Sequence, residues 1–309
     1  MTGRPDRIIT TADGTRPESF GPSEWSMVAS LALMWGASFL FIDIGLDAFE
    51  PGLITWLRVS LGAVAIGLLP GARAPVDARA WPRLILLGFT WIAIPFTLFP
   101  IAQQWIDSSL AGILNAAMPL FAAVIAAVLL RRLPGSIIIG GLLVGFFGVV
   151  LVSLSSGGGE SAALGIILVL AATVLYGFST NIAVPLQQSY GALPVIWRVQ
   201  LIAAAATLPL GVLSVSRSSF EMQSAVAVAV LGVFGTGVAL AIMTQLIGRV
   251  GATRGALAIY LVPVVATILG VAFRDEEVGP LTLIGMVLVL LGAYLASRKE
   301  STGKHGPQG

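Results

Sequence analysis

Two charged side chains, Asp43 and Arg58, lie inside long apolar stretches of the sequence. A charged group is costly to bury in a hydrophobic segment, so it is a functional candidate by default: it can carry a proton, bind a charged ligand or form an ion pair. Two interpretations stay open. In the first, Asp43 and Arg58 form a structural salt bridge or reach outward to the membrane surface. In the second, they bind substrate or carry protons. A further hypothesis is that Arg58 holds its helix against the preceding one during gating.

Aromatic and polar side chains near mid-segment form a second group that could line a binding cavity. Aromatic rings can stack on a ligand, and hydroxyl and amide groups can bond to it. The same side chains also pack helices together, so both interpretations stay open. The candidates for substrate binding are Trp35, Thr90, Thr97, Asn115, Tyr176, Thr244 and Tyr260.

Two prolines, Pro119 and Pro263, interrupt apolar segments. Proline in a helix frees a backbone carbonyl and permits a bend, which suits a gate. Each follows a candidate polar residue by about one turn, Asn115 in one case and Tyr260 in the other. We therefore predict that both prolines take part in gating.

Catalysis has little support in the sequence. The single histidine, His305, lies in a polar tail, and the chain has no cysteine. A histidine-based triad, a zinc site and a disulfide are therefore excluded within the apolar segments. Since no phosphate-binding glycine loop is present either, we expect neither an enzyme nor a bound cofactor or metal.

The composition places the chain in a membrane. Hydrophobic residues make up 57% and charged residues 10%, whereas about a quarter of a soluble domain is charged. Segments of about 20 apolar residues without strand-like alternation predict transmembrane helices. The fold predicted is an all-α integral membrane protein with ten transmembrane helices. The predicted spans are 26–46, 53–71, 82–103, 109–130, 136–154, 162–184, 194–215, 225–247, 254–273 and 279–297.

The distribution of basic residues predicts the orientation. With the N-terminus in the cytoplasm, Arg217 and Arg274 of the 17 basic residues fall outside, Arg58 falls within a span, and all the others fall inside. This asymmetry follows the positive-inside rule and explains the basic character without nucleic acid. We expect a multi-pass protein of the cell (inner or plasma) membrane with cytoplasmic tails at 1–24 and 299–309.

The second half of the sequence repeats the first. Pro263 lies 144 positions after Pro119, and the same offset relates 87–153 to the second half without a gap. Because each half holds five spans, an odd number, the halves must cross the membrane in opposite directions. The prediction is two inverted five-helix repeats, at 25–154 and 162–298.

The ordered motifs resemble the drug/metabolite transporter superfamily, specifically its ten-helix EamA-type members. Trp35-Gly36, Arg58 after Pro51, Met118-Pro119, Tyr176-Gly177, and Glu276 followed by Gly285 carry the resemblance. It implies a transporter that exports or exchanges a small metabolite by alternating access around a central cavity. Sparse internal charge favours a neutral, zwitterionic or aromatic solute, such as an amino-acid-like compound or a drug.

Two further classes remain, a flippase of a lipid-linked intermediate and a non-transporting scaffold or sensor. The short tails make the scaffold the weaker alternative. Glycine-rich faces in spans 5 and 10 predict close helix packing, either within the chain or between two copies as a homodimer. The expected partners are a small-molecule substrate and the lipid bilayer, with no nucleic acid. A homodimer through spans 5 and 10 is the alternative to packing within the chain, which is favoured.

Overall fold

The computed structural model describes residues 21–131, 135–155, 159–250 and 257–296. These residues form helices and short connections, and no strand occurs among them. We label the helices α1 to α10. Their bounds are α1 Pro22–Leu46, α2 Pro51–Gly67, α3 Ala78–Ala102, α4 Ser108–Asn115 with Met118–Leu130, α5 Ser136–Ser155, α6 Glu160–Tyr190, α7 Ala192–Val215, α8 Met222–Gly232 with Val233–Val238 and Ala239–Val250, α9 Leu257–Arg274 and α10 Pro280–Ala296.

Seven helices in the described part of the chain are long and apolar enough to cross a membrane, namely α1 and α3 to α8. The helices α2, α9 and α10 are shorter but also apolar. Large apolar side chains such as Leu143, Phe147 and Leu154 are exposed on the outer surface, as expected where lipid is the solvent. The predicted tails lie largely outside the described residues.

Packing pairs the first five helices with the last five. Extensive contacts join α5 to α10, α2 to α7, α1 to both α8 and α9, and the second piece of α4 to α6. Glycines set the close approaches. A Cβ on Gly36 of α1 would lie 2.6 Å from Val265 of α9, and one on Gly177 of α6 would lie 2.7 Å from the backbone of Ala122 in α4. The two halves are therefore interleaved.

The glycine-rich faces of α5 and α10 contact each other. A Cβ on Gly148 would lie 2.6 Å from the backbone nitrogen of Val289, and one on Gly285 would lie 3.0 Å from the carbonyl oxygen of Gly148. The glycine faces thus serve packing within the chain, which leaves them covered. A homodimer through α5 and α10 stays a prediction and would have to use their other faces.

Several local features occur at positions related by the sequence repeat. Arg131 and Asp275 are 144 positions apart, and both have a left-handed backbone, with φ of 50° and 52°. The helices α3 and α8 each contain one π-helical segment, Gly88–Ala93 and Val233–Val238. A π turn widens the helix and often marks a functional position.

The two repeat-related prolines differ in their local structure. In α4 the helix is interrupted between Asn115 and Met118, so Pro119 lies in the first turn of the second piece, where its missing N–H has no cost. In α9 the helix continues through Pro263. The sequence predicted one continuous span at 109–130 and did not anticipate this break.

Candidate functional site

A row of aromatic rings runs through the middle of the bundle. Phe39 of α1 packs edge-on against Phe99 of α3, with ring centroids 5.6 Å apart. Phe99 stacks on Tyr176 of α6 at 5.9 Å, and Tyr176 meets Phe96 of α3 edge-on at 6.4 Å. The row ends at Arg58 of α2, whose guanidinium lies 3.9 Å from the centre of the Phe96 ring. Aromatic faces of this kind attract planar and cationic groups.

Arg58 is buried, with 7% of its surface exposed. Its Nε donates a hydrogen bond of 3.1 Å to the hydroxyl of Thr236, which lies in the π-helical segment of α8. An arginine at the centre of a membrane helix costs about 2.5–3.5 kcal/mol to insert. No carboxylate forms an ion pair with it in the part of the chain that the structure describes.

Arg58 and Asp43, whose pairing was one of the interpretations left open, form no ion pair with each other among the described residues. Asp43 forms an ion pair with Arg274 at the end of α9, because the ends of α1 and α9 pack side by side. Arg58 points between α3 and α8, so its contacts hold α2 against those two helices. The idea that Arg58 clamps α2 to α1 is not supported by this geometry.

Gln200 of α7 is a polar residue that the sequence reasoning did not single out. Its side chain is fully buried, and neither its Nε2 nor its Oε1 has a hydrogen-bond partner. A Cβ on Gly62 would lie 3.3 Å from this Nε2 and 2.7 Å from Cγ2 of Thr236, so the amide lies beside the residue that holds Arg58. Burying an unbonded amide costs free energy. In the sequence its only signal is an amide within the span predicted at 194–215.

Charged residues join three helices at one end of the bundle, which we call the Asp43 end. Arg274 of α9 donates to Asp43 and, over 2.8 Å, to Asp47 at the end of α1. Glu276, two residues further on, accepts hydrogen bonds from the backbone N–H groups of Ser108 and Ser109 at 2.9 and 3.0 Å. This carboxylate therefore caps the N-terminus of α4, where a negative charge is favourable.

Two features of the connections at the Asp43 end depend on this cap. Gly270 makes room for it, because a Cβ there would collide with the Glu276 carboxylate. Partial desolvation raises the pKa of Asp107, which precedes α4, and the negative charges of Glu276 and Asp43 raise it further. Protonation of Asp107 therefore relieves repulsion at the junction of α1, α4 and α9.

The structure places the remaining predicted site residues in more ordinary surroundings. Thr97 and Thr244 each donate to a carbonyl four residues back in their own helix, at 2.7 and 2.9 Å, a common way to satisfy a hydroxyl in a membrane helix. Thr90 does the same with Leu86 and also accepts from Ser179 of α6. No ligand-facing role follows from these bonds alone.

Two predicted aromatic residues pack between helices. Tyr260 of α9 donates 3.2 Å to the carbonyl oxygen of Ala293 in α10, which is a tie between neighbouring helices. Trp35 is half-buried and packs against the hydrophobic core where α1 meets α8 and α9. Of the two, only Trp35 lies on α1, the helix that also carries Phe39 of the aromatic row.

Asn115 lies at the break in α4. Its Oδ1 is buried and has no hydrogen-bond partner, and the backbone turns tightly through Ala116 and Ala117 before Pro119. Interrupted helices in membrane proteins expose polar groups where they line a cavity. Among the described residues, four side chains thus have a buried polar group with unused hydrogen-bonding capacity, namely Arg58, Gln103, Asn115 and Gln200.

Comparison with known proteins identifies the family. The sequence matches the EamA-like transporter family over residues 24–154 and 163–298. The chain belongs to this family. The resemblance seen in the sequence motifs is thereby confirmed, and the protein is a membrane transporter.

Relatives of this transporter come from distant organisms. An "uncharacterized transporter" of Archaeoglobus fulgidus is 22% identical over 90% of this chain and 99% of its own length. A "probable terminal-alkyne amino-acid exporter" of Streptantibioticus cattleyicolor is 26% identical over 89% of this chain and 93% of its own length. The "uncharacterized inner membrane transporter YedA" of Escherichia coli strain K12 is 25% identical over 87% of this chain and 91% of its own length.

A protein of known crystal structure has the same fold. It superposes with a TM-score of 0.63 at 20% sequence identity, and the match covers 89% of this transporter and 96% of that chain.

Among the described residues, no group of three or more histidine, aspartate or glutamate side chains is arranged to hold a metal ion.

Proposed function

We propose that this EamA-like transporter moves a small amino-acid-like solute, neutral, zwitterionic or aromatic, by alternating access. The observation that carries the proposal is the aromatic row from Phe39 to Phe96, which ends at a buried arginine with no counter-ion among the described residues. Rings stack on the apolar part of such a solute, and polar groups at the end of the row orient it. Nothing in this arrangement requires a cofactor.

The proposed topology is ten transmembrane spans in two inverted repeats, with both termini in the cytoplasm. The left-handed residues Arg131 and Asp275 and the paired π-helical segments of α3 and α8 support the repeat. Inverted repeats give a transporter two similar conformations that open to opposite sides. In this orientation the Asp43 end of the bundle faces outward.

The gate proposed for that side consists of the contacts between α1, α4 and α9. Arg274 ties α9 to α1, and Glu276 ties the end of α9 to the start of α4. Both links cross from one half of the chain to the other, so separating the halves must break them. The interruption before Pro119 gives α4 a hinge for that motion, while Pro263 offers a weaker one in α9.

We place the proposed cavity between α2, α4 and α6, beside Arg58, Asn115 and Tyr176, with Trp35 and the threonines of α3 and α8 at its border. One relative bears the name of an amino-acid exporter, which supports outward movement of a related solute. A lipid-linked substrate stays the alternative, and we use it below as an outcome of the test.

The test compares metabolites inside and outside cells that contain or lack the protein. A solute depleted inside and enriched outside identifies the substrate. We expect Tyr176→Ala to reduce its export about two- to twelvefold, because one aromatic contact contributes about 0.5–1.5 kcal/mol beyond the area it buries. We expect Asn115→Ala to act in the same direction.

Phe147→Ala is the matched control, since Phe147 is an aromatic residue that is exposed on α5. At equal expression it should leave export unchanged. If no soluble metabolite shifts with the wild-type protein, the proposal fails and a lipid substrate becomes the better explanation. If Phe147→Ala is as damaging as Tyr176→Ala, the cavity assignment is wrong.

A further inference from the structure

We propose that Arg58 and Gln200 form a binding subsite for a carboxylate group of the transported solute. This inference rests on the proposed function and narrows its substrate class to carboxylic acids, with amino acids included. It assigns the polar end of the aromatic row to a specific chemical group. The apolar remainder of the solute then lies along Phe96 and Tyr176.

The first argument is the hydrogen-bonding inventory of Arg58. A guanidinium has five N–H donors in a planar fork, and only Nε is used, toward Thr236. Its two terminal nitrogens have no acceptor among the described residues. By contrast, the terminal nitrogens of Arg198 donate to two carbonyl oxygens.

Two arginines at helix ends also donate to protein oxygens. Arg249 bonds Glu24 and Ser23, and Arg274 bonds two aspartates. Arg58 is thus distinguished by being buried and by keeping its fork unused. A planar fork of this kind matches a carboxylate, which accepts two parallel hydrogen bonds from it.

The second argument is independent of the first and comes from α7. Gln200 is fully buried, yet both its donor and its acceptor are free. A buried amide without hydrogen bonds has lost its hydration and gained no partner in exchange. A ligand that bonds to it recovers part of this free energy. Its Nε2 can donate to a carboxylate oxygen, and its Oε1 can accept from an ammonium or amide group on the same ligand.

The third argument is the position of the two side chains. The methyl group of Thr236 and the amide nitrogen of Gln200 both lie against Gly62 of α2, and the hydroxyl of the same threonine holds Nε of Arg58. Gly62 lies one turn after Arg58 on the same helix face. The absence of a side chain at Gly62 lets α7 and α8 bring their polar groups to the arginine.

Charge decides which anion fits. One guanidinium balances one negative charge, which a carboxylate carries, whereas phosphate groups carry more charge and usually meet several basic residues. Since Arg58 has no counter-ion in this structure, a monoanionic group completes the charge balance. The Phe96 ring against the guanidinium keeps that face apolar, so the ligand must approach along the edge of the fork.

The experiment measures ligand-induced thermal stabilisation of the purified full-length protein in detergent, read by the fluorescence of its own tryptophans. The probes are two acid and amide pairs, 3-phenylpropionate with 3-phenylpropionamide and phenylalanine with phenylalaninamide. Within each pair the ring is the same and the carboxylate is replaced by an amide. We expect the wild-type protein to bind each acid at least about tenfold more tightly than its amide.

Two variants test the residues. Arg58→Gln should abolish the preference for the acid, and Gln200→Glu should do so by supplying Arg58 with a carboxylate of its own. Arg217→Gln removes an exposed arginine from the connection between α7 and α8 and should leave the preference unchanged. Each variant is first shown to be monodisperse and folded without ligand; Gln200→Glu keeps the test open if Arg58→Gln does not fold.

The inference is overturned if acid and amide bind equally, if neither acid binds, or if both variants keep the preference. Its failure is distinct from that of the proposed function. Export of a solute that lacks a carboxylate, unaffected by Arg58→Gln, would leave the transporter proposal standing and remove only the subsite. Absence of any exported solute would count against the transporter proposal itself.

Discussion

The carboxyl group of Asp107 is the titratable group whose environment makes the clearest prediction about pH. Partial desolvation, then the charges of Glu276 and Asp43, raise its pKa above the usual 3.8. The folded protein therefore binds this proton more tightly than the unfolded chain does. By linkage, this group lowers the free energy of unfolding as the pH rises from about 3.8 through the raised pKa.

Asp107→Asn should remove this loss of stability with rising pH. Asparagine is an equally good residue before a helix, so the variant should be more stable than the wild-type protein above the raised pKa and equal to it well below 3.8. Thermal unfolding in detergent between about pH 4 and about pH 7 measures this difference. Glu221→Gln, which removes an exposed carboxyl group elsewhere, is the control. A wild-type protein that gains stability over this range relative to Asp107→Asn contradicts the argument.

The pairing of α5 with α10 makes a prediction at the level of helices. A Cβ on Gly292 would collide with the backbone of Gly145, which cannot move without separating the two helices. We expect Gly292→Ala to lower the stability by about 1–3 kcal/mol. Thermal unfolding in detergent measures the loss.

Gly140→Ala is the matched control, because Gly140 is on α5 and its added Cβ would meet no atom within 4 Å. It should be neutral or slightly stabilising, since alanine favours the helix. Equal effects of the two substitutions would show that helix propensity, and not contact between α5 and α10, governs both positions.

Much of the helix arrangement could be predicted from the sequence. The differences between the predicted and the observed helices have physical causes. Hydropathy located the helix ends to within four residues, except that α6 continues six residues beyond the predicted 184 to Tyr190. Lipid exposure and backbone hydrogen bonding leave few alternatives. Hydropathy did not locate the break before Pro119, since Pro263 occupies the equivalent position in an unbroken helix. Whether a proline interrupts a helix depends on its neighbours, which hydropathy does not report.

The candidate site was predictable only in part for a similar reason. Arg58 and Asn115 stood out as polar residues in apolar segments, and both proved to have unused hydrogen-bonding groups. Gln200 has the same property but lies two residues after Arg198 near a predicted span end, where a polar residue is unremarkable. The partner of Asp43, Arg274, could not be identified from the sequence because the contact of α1 with α9 joins distant parts of the chain.

The orientation of the whole molecule can be tested because the chain has no cysteine. A single introduced cysteine is then the only thiol, and a membrane-impermeant maleimide reports its side. In the proposed topology, Ser219→Cys, between α7 and α8, is labelled from outside intact cells. Ser136→Cys, at the start of α5, is labelled only after the membrane is broken. The reverse pattern, or labelling of both from outside, contradicts the proposed orientation.

The interleaving of the two halves has a consequence for biogenesis. When the ribosome has completed α5, the partners of α1, α2, α4 and α5 have not yet been made. About 140 residues remain up to the end of α10, which takes roughly 7–30 s at about 5–20 residues per second. During that interval the nascent chain holds Arg58 in the bilayer without Thr236, and its glycine faces without their partners in the second half. Newly inserted α1 to α5 should therefore be the stage most exposed to membrane proteases and most dependent on insertion chaperones.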